Sequence, residues 1–86
     1  MYKIEYTDLF LEDLSWIVNY IWKSNMLNVE KAINNTLDLL LMNPEMWREI
    51  EYWDREIIVP KYRYQIRYEL FWKTISLLMI YKFKNR

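Results

Sequence analysis

The hydrophobic period of the sequence changes at Asn43–Pro44, and this change divides the chain into a mainly helical part and a strand part. Before Pro44, apolar residues recur every three or four positions, as in "DLFLEDLSWIV" (8–18). After it they recur at every second position, most regularly in "YRYQIRYEL" (62–70). The first period is typical of a helix with one buried face and the second of a strand with one buried face. Proline stops the helical part because it has no amide proton to donate.

The segment before Pro44 predicts one strand and two helices. "YKIEYT" (2–7) alternates apolar and polar residues and predicts a strand, after which Thr7 or Asp8 is a suitable helix N-cap. The first helix is expected to run to about Ser24, and Asn28 is expected to cap the second. The buried stripe of the second helix consists of Val29, Ile33, Leu37 and Leu40. The short connection predicts an antiparallel helical hairpin.

The segment after Pro44 predicts three strands, "REIIVP" (55–60), "YRYQIRYEL" (62–70) and "TISLLMIYKF" (74–83). The last is apolar on both faces and is therefore expected in the interior of the sheet. "FWK" (71–73) must turn the chain without glycine. The expected fold is α+β in the order β-α-α-β-β-β, with the helical hairpin packed on one face of a mainly antiparallel sheet. At 86 residues the chain is expected to be one domain, 1–86.

The composition excludes several kinds of chemistry. The sequence contains neither cysteine nor histidine, which removes disulfides, thiol nucleophiles, imidazole acid–base catalysis and zinc sites built from these residues. No cofactor or metal is expected. The N-terminal region lacks a signal pattern, and no apolar run is long enough to span a bilayer. We therefore expect a soluble cytoplasmic protein.

Charge is distributed unevenly along a chain whose formal net charge is zero. Residues 1–44 contain three basic and six acidic residues, whereas residues 57–86 contain seven basic residues and Glu69 as their one acidic residue. This asymmetry predicts an electropositive surface on the C-terminal part. The alternative interpretation is that lysines keep a sheet edge soluble.

Several short motifs, in order, resemble the RelE/ParE family of bacterial type II toxins. An opening strand leads into "TDLFLEDLSWIVNYI" (7–21), with an acidic residue, leucine, isoleucine, tyrosine and isoleucine at the spacing of the family. Leu40 to Pro44 gives Leu-x-x-x-Pro, followed by Arg48 and by an arginine that opens "REIIV" (55–59). "YQIRYEL" (64–70) and a basic end, "YKFKNR" (81–86), complete the series. The family fold has the element order predicted above.

The resemblance implies a plasmid-stabilisation toxin neutralised by a cognate antitoxin. RelE-like members are mRNA interferases that cleave mRNA in the ribosome, whereas ParE-like members inhibit DNA gyrase. The sequence ends at Arg86, directly after the last predicted strand, and has Lys82 where many members have a histidine. Both features favour the ParE-like branch. A toxin that has lost its activity and only binds its antitoxin is a further alternative.

Basic residues are expected to gather on the sheet face opposite the helices. Arg63 and Arg67 share one face of an ideal strand, and Lys82 and Lys84 share one face of the last. For a gyrase inhibitor these cations are expected to contact the target. The predicted target-binding residues are Arg55, Arg63, Arg67, Lys82, Lys84 and Arg86.

The nuclease alternative assigns chemical roles to the same region. Cleavage by the 2′-hydroxyl needs a base, a cation beside the phosphate and an acid for the leaving oxygen. Glu49 or Glu51 would be the base, and Arg63 or Arg67 would stabilise the charge. Tyr81 or Lys82 would be the acid.

Tryptophans near the predicted loops suggest the antitoxin site. Type II antitoxins are expected to fold across grooves and edges of their toxin. Trp47, Trp53 and Trp72 lie in or near loops and are the predicted antitoxin-binding residues. The alternative is that they cap the ends of the core.

Overall fold

A computed structural model describes residues 1–20, 23–51 and 53–82, which form two helices and five strands. In chain order these are β1 Lys3–Tyr6, α1 Asp8–Tyr20, α2 Lys23–Met42, β2 Arg48–Glu51, β3 Asp54–Val59, β4 Tyr64–Phe71 and β5 Thr74–Lys82. Neither helix in the described part of the chain has the length and apolar character that a bilayer span requires.

The five strands form one mixed, mostly antiparallel sheet in the order β1-β5-β4-β3-β2. β1 pairs with β5 in parallel, and the other three pairings are antiparallel. β5 lies between β1 and β4, which confirms its predicted interior position. The α+β fold predicted from the hydrophobic periods is likewise confirmed.

Both helices cover the same face of the sheet and build the core there. α1 packs mainly against β5 and α2 against β3. The predicted α2 stripe is buried in full. The buried apolar residues are Phe10 and Ile17 of α1, Val29, Ile33, Leu37 and Leu40 of α2, and Ile57, Val59, Ile66, Tyr68, Ile75, Leu77 and Ile80 of the sheet.

Thr7, one of the two residues predicted as N-cap, caps α1, and its hydroxyl also joins the helix to the sheet. The Thr7 Oγ1 atom accepts a hydrogen bond from the Phe10 amide at 3.2 Å. The same hydroxyl donates to the Leu77 carbonyl of β5 at 2.6 Å. A cap of this kind stabilises a helix by about 1 kcal/mol. It also sets the position of α1 over β5.

The second helix begins earlier than the sequence predicts. α2 starts at Lys23, so Asn28 lies inside the helix and the prediction that it caps the helix is wrong. Asparagine is disfavoured in a helix interior by only a few tenths of a kcal/mol relative to ordinary residues, so packing overrides it. Met26, one turn before Val29, lines a cleft between the two helices and extends the apolar stripe backwards.

A fourth strand after Pro44, β2, was not predicted. It has four residues, pairs with the start of β3 and contains an irregularity between Glu49 and Glu51. Its sequence, Arg-Glu-Ile-Glu, has no alternation of apolar and polar residues. The alternation criterion therefore could not detect it.

The turns are built without glycine, and three ordinary residues adopt positive φ instead. Lys61 and Arg63 have φ of 76° and 59° in the β3–β4 turn, and Trp72 has φ of 57° in the β4–β5 turn. A left-handed conformation costs a non-glycine residue about 1–2 kcal/mol. The predicted strand at 62–70 therefore begins only at Tyr64, because Arg63 belongs to the turn.

Two side chains on the helix-covered face of the sheet hold the loop between α2 and β2. The Tyr68 hydroxyl donates to the Pro44 carbonyl at 2.6 Å, inside the core. The Arg55 Nη1 atom donates to the carbonyls of Glu45 and Trp47, each at 2.9 Å. Burial raises the pKa of Tyr68, and the nearby Arg55 guanidinium partly offsets that effect. The phenol therefore stays protonated and remains a donor.

Replacing Tyr68 by phenylalanine (Tyr68→Phe) is expected to lower the free energy of unfolding by about 1–3 kcal/mol, because the Pro44 carbonyl then remains buried without its donor. Urea denaturation followed by tryptophan fluorescence measures the change. Tyr81→Phe is the matched control, because it removes an exposed hydroxyl and should change stability by less than about 0.5 kcal/mol. Equal losses in the two variants would contradict this role of Tyr68.

Candidate functional site

The sheet face that points away from α1 and α2, termed the open face, is the predicted target surface. Strand register determines which side chains lie on it, because partners across a pair share a face. Glu56 lies opposite Arg67 of β4 and Arg48 of β2. The polar side chains that register places on this face are Lys3, Glu5, Arg48, Asp54, Glu56, Gln65, Arg67, Glu69, Thr74, Ser76 and Tyr81.

Ion pairs connect the charges of the open face. Arg67 binds the Oδ2 atom of Asp54 through both Nε, at 3.1 Å, and Nη2, at 2.8 Å. Arg48 lies 3.4 Å from the Glu56 carboxylate, and the Tyr81 hydroxyl donates to the same carboxylate at 3.5 Å. Positive and negative groups are thus interspersed. The described part of the open face is a charge-balanced surface and not the cationic one that the sequence predicts.

Arg55 does not lie on the open face. It shares the helix-covered face of β3 with Ile57 and Val59 and is paired with Tyr68 of β4. Its guanidinium contacts the loop carbonyls described above and lies 3.8 Å from Glu49. The expectation that Arg55 joins Arg67 on one surface is therefore wrong.

Arg63 and Lys82 are also away from the predicted surface. Arg63 is exposed in the β3–β4 turn. Lys82 pairs with Tyr64 and follows Ile80 on the helix-covered face, at the end of β5. The expected common face of Lys82 with Arg67 is therefore wrong. Lys84 and Arg86 lie outside the described residues.

The residues proposed for RNA cleavage are divided between the two faces of the sheet. Glu49 pairs with Arg55 on the helix-covered side, whereas Arg67 and Tyr81 belong to the open face. Burial raises the pKa of Tyr81, and the Glu56 carboxylate raises it further while Arg67 lowers it. A base at Glu49 therefore cannot act on the same phosphate as an acid at Tyr81.

Two of the three predicted tryptophans come together with a residue that the sequence analysis missed. Trp53 and Trp72 both contact Phe71 edge to face, with ring centroids 6.4 Å and 6.2 Å apart. We call these three side chains the aromatic cluster. The sequence predicts Phe71 to be a turn residue, whereas the structure makes it the last residue of β4.

A cleft of about 520 Å³ lies beside the aromatic cluster. Its remaining lining residues are Glu45, Glu49, Arg55 and Leu70. Trp47 is not among them. It packs against the core, with its indole Nε1–H buried and without an acceptor in the described part of the chain. Trp47 thus caps the core, while Trp53 and Trp72 form a surface.

Two further clefts lie elsewhere on the molecule. One of about 440 Å³, between α2 and the β3–β4 turn, has a mixed polar and apolar lining that includes Lys31, Asn35, Leu39 and Lys61. One of about 260 Å³, between the helices, has a mainly apolar lining that includes Leu14, Met26 and Ile33. Among the residues that the structure describes, no group of three acidic side chains has metal-binding geometry.

This arrangement of helices and strands is the RelE/ParE-like fold. A chain from the chromosomal ParDE TA system from P. aeruginosa superimposes with a TM-score of 0.81 and 19% sequence identity, over 98% of each chain. The isolated E. coli RelE toxin superimposes with a TM-score of 0.67 and 11% identity, over 100% of this chain and 88% of that one. No protein-family model matches the sequence, and no curated protein sequence matches it either. The likeness therefore establishes the fold.

The hydrogen bond between Tyr81 and Glu56 provides a test of the open-face arrangement. In Glu56→Gln the pKa of Tyr81 is expected to fall, because the carboxylate charge and the hydrogen bond that raise it are lost while burial, the largest cause, remains. Arg67→Gln should shift this pKa upward. Alkaline titration of tyrosinate absorbance, compared with the same variants carrying Tyr81→Phe, isolates this residue. Shifts of the same sign in both variants would contradict the geometry.

Proposed function

We propose that the chain is the toxin of a toxin–antitoxin pair, that it inhibits DNA gyrase, and that a cognate antitoxin neutralises it. The observation that carries the proposal is the end-to-end likeness to a chain of the ParDE TA system, at a TM-score of 0.81. Fold alone does not determine activity. The site geometry and the exposed apolar surface supply the further support.

The charge distribution favours inhibition of a protein target over RNA cleavage. Cleavage needs a base, an acid and cations around one phosphate, and the sheet separates Glu49 from Tyr81. A protein target needs only contact residues. On this proposal Arg63, exposed in its turn, and Lys82, exposed at the end of β5, contact the target as parts of separate patches.

Exposed apolar side chains on the helices favour an antitoxin partner. Trp16 and Tyr20 stack on the surface of α1 with centroids 5.6 Å apart. Apolar side chains that cluster on the surface of a free protein commonly mark interaction sites, and the Trp16–Tyr20 pair is such a cluster. The other strongly exposed apolar side chains of the helices are Leu9, Leu27 and Met42. A segment that folds across them would remove this surface from water.

RNA cleavage in the ribosome is the second candidate, and one observation favours it. Glu56 lies between Arg48 and Tyr81 on the open face, and the Arg67 guanidinium affects the same tyrosine. A carboxylate, a phenol and two guanidinium groups on one surface are the residue types that such cleavage uses. In this candidate Glu56 replaces Glu49 as the base.

Induced expression in a bacterial host, with and without a co-expressed antitoxin from the adjacent reading frame, tests the proposal. We expect growth arrest with an SOS response, rescue by the antitoxin, inhibition of purified gyrase in a supercoiling assay, and intact mRNA by primer extension. Cuts near A-site codons would establish the nuclease candidate. Normal growth together with uninhibited gyrase would contradict both gyrase inhibition and mRNA cleavage.

Arg63→Asn, with Lys61→Asn as its matched control, tests the contact role of Arg63. Both residues are exposed, belong to one turn and have positive φ, which asparagine tolerates. We expect Arg63→Asn to raise the concentration needed to inhibit gyrase by about tenfold, as for a contact arginine. Lys61→Asn should inhibit like the wild type. Equal effects of the two changes would refute the assignment, and circular dichroism checks that both variants are folded.

A further inference from the structure

The aromatic cluster exposes more ring surface than the fold of a free chain requires. Trp53, Phe71 and Trp72 are 63%, 54% and 83% exposed. Aromatic side chains normally contribute to folding by burying large areas. Here the three rings contact one another and leave most of their surface in water. Clustered rings of this kind are typical of the central residues of protein interfaces.

Trp72 also has an unfavourable backbone conformation. Its φ of 57° lies in the left-handed region, at a turn position where glycine or asparagine is the usual residue. Burial does not offset this strain, because its side chain is largely exposed. Backbone strain of this kind is concentrated at ligand clamps and other functional sites. Trp72 therefore combines backbone strain with a large apolar ring left in water, and a role in binding accounts for both.

The charge of the adjacent cleft indicates what it binds. Its lining includes Glu45, Glu49 and Arg55. The Arg55 side chain is 22% exposed, and it donates to two backbone carbonyls. Glu49 is 63% exposed, and its carboxylate lies 3.8 Å from Arg55. The accessible charge of the cleft is thus negative, and the faces of the aromatic rings add negative potential.

We propose that this cleft binds a lysine or arginine side chain of the antitoxin segment that covers the end of the β4–β5 turn. The cation would lie over the faces of Trp53 and Trp72 and beside the carboxylates of Glu45 and Glu49. Nucleic acid does not fit here, because its phosphates would face these two carboxylates. The identity of the partner rests on the proposed function, whereas the preference for a cation rests on the cleft itself.

Two peptides of twelve residues, with the same apolar residues and either three arginines or three glutamines, test the cation preference against the whole chain. Fluorescence anisotropy gives the Kd, and NMR follows the indole N–H resonances of Trp53 and Trp72. We expect the arginine peptide to bind at least about tenfold more tightly and to shift both resonances. Equal Kd values for the two peptides would overturn the proposal.

Trp72→Gly separates binding from folding. Glycine removes the strain, so we expect this variant to raise the Tm by about 4 °C. We also expect it to raise the Kd for the arginine peptide about tenfold. A residue with only a structural role in the turn would leave peptide affinity unchanged. Unchanged affinity of Trp72→Gly would therefore overturn the proposal, whether or not the Tm rises.

Glu45→Gln, with Glu12→Gln on α1 as its control, tests the carboxylate. Both residues are exposed, and each change removes one negative charge. We expect Glu45→Gln to raise the Kd for the arginine peptide about threefold and Glu12→Gln to leave that Kd unchanged. Equal weakening would mean that net charge alone attracts the peptide, and would overturn the proposal.

The two proposals fail in different ways. A chain that arrests growth and inhibits gyrase but does not distinguish the peptides remains a toxin and lacks the cation site. A chain that prefers the arginine peptide through Trp72 but neither arrests growth nor inhibits gyrase retains the site and loses the proposed function.

Discussion

The hydrogen bond from the Tyr68 hydroxyl to the Pro44 carbonyl is the interaction on which the arrangement of the sheet and α2 depends. Proline terminates the helix, and the carbonyl that it leaves in the core needs a donor. Tyr68 supplies the donor from the middle of β4 at 2.6 Å. Arg55 of the neighbouring strand holds the next carbonyls of the same loop. Together these side chains hold the loop that joins the end of α2 to the start of β2.

The same constraint explains why Arg55 does not lie on one surface with Arg67. "REIIVP" (55–60) is apolar at Ile57 and Val59 on one face and at Ile58 on the other, so the sequence left open which face Arg55 would join. Its contacts with the loop carbonyls place it on the helix-covered side. Basic residues are concentrated in the C-terminal part of the sequence, but this distribution does not indicate on which face of the sheet each of them lies.

The position of Lys82 differs from the prediction because of a single irregularity in β5, which alternation in the sequence does not reveal. Leu77 pairs with Tyr68, whereas Met79 pairs with Arg67, so Leu78 is an extra residue in β5. A bulge of one residue exchanges the two faces of every later position. Without it Lys82 would lie on the open face with Ser76. The Ile80 amide, just after the bulge, donates to the Asp13 carboxylate of α1 at 3.3 Å, a contact between distant segments that strand periodicity cannot indicate. By contrast, the buried stripe of α2 and the interior position of β5 followed from local periods alone.

The role of Arg55 connects the stability of the fold with the chemistry of its surface. Because one terminal nitrogen of the guanidinium is occupied by two backbone carbonyls, Arg55 lies deep beside the loop, and the exposed carboxylates of Glu45 and Glu49 dominate the cleft beyond it. An arginine that had instead turned outward between Trp53 and Trp72 would have occupied the ring faces itself. Because Arg55 donates to the loop carbonyls after α2, its guanidinium does not cover the aromatic cluster. On the proposal above, the ring faces are then accessible to a cation from a partner.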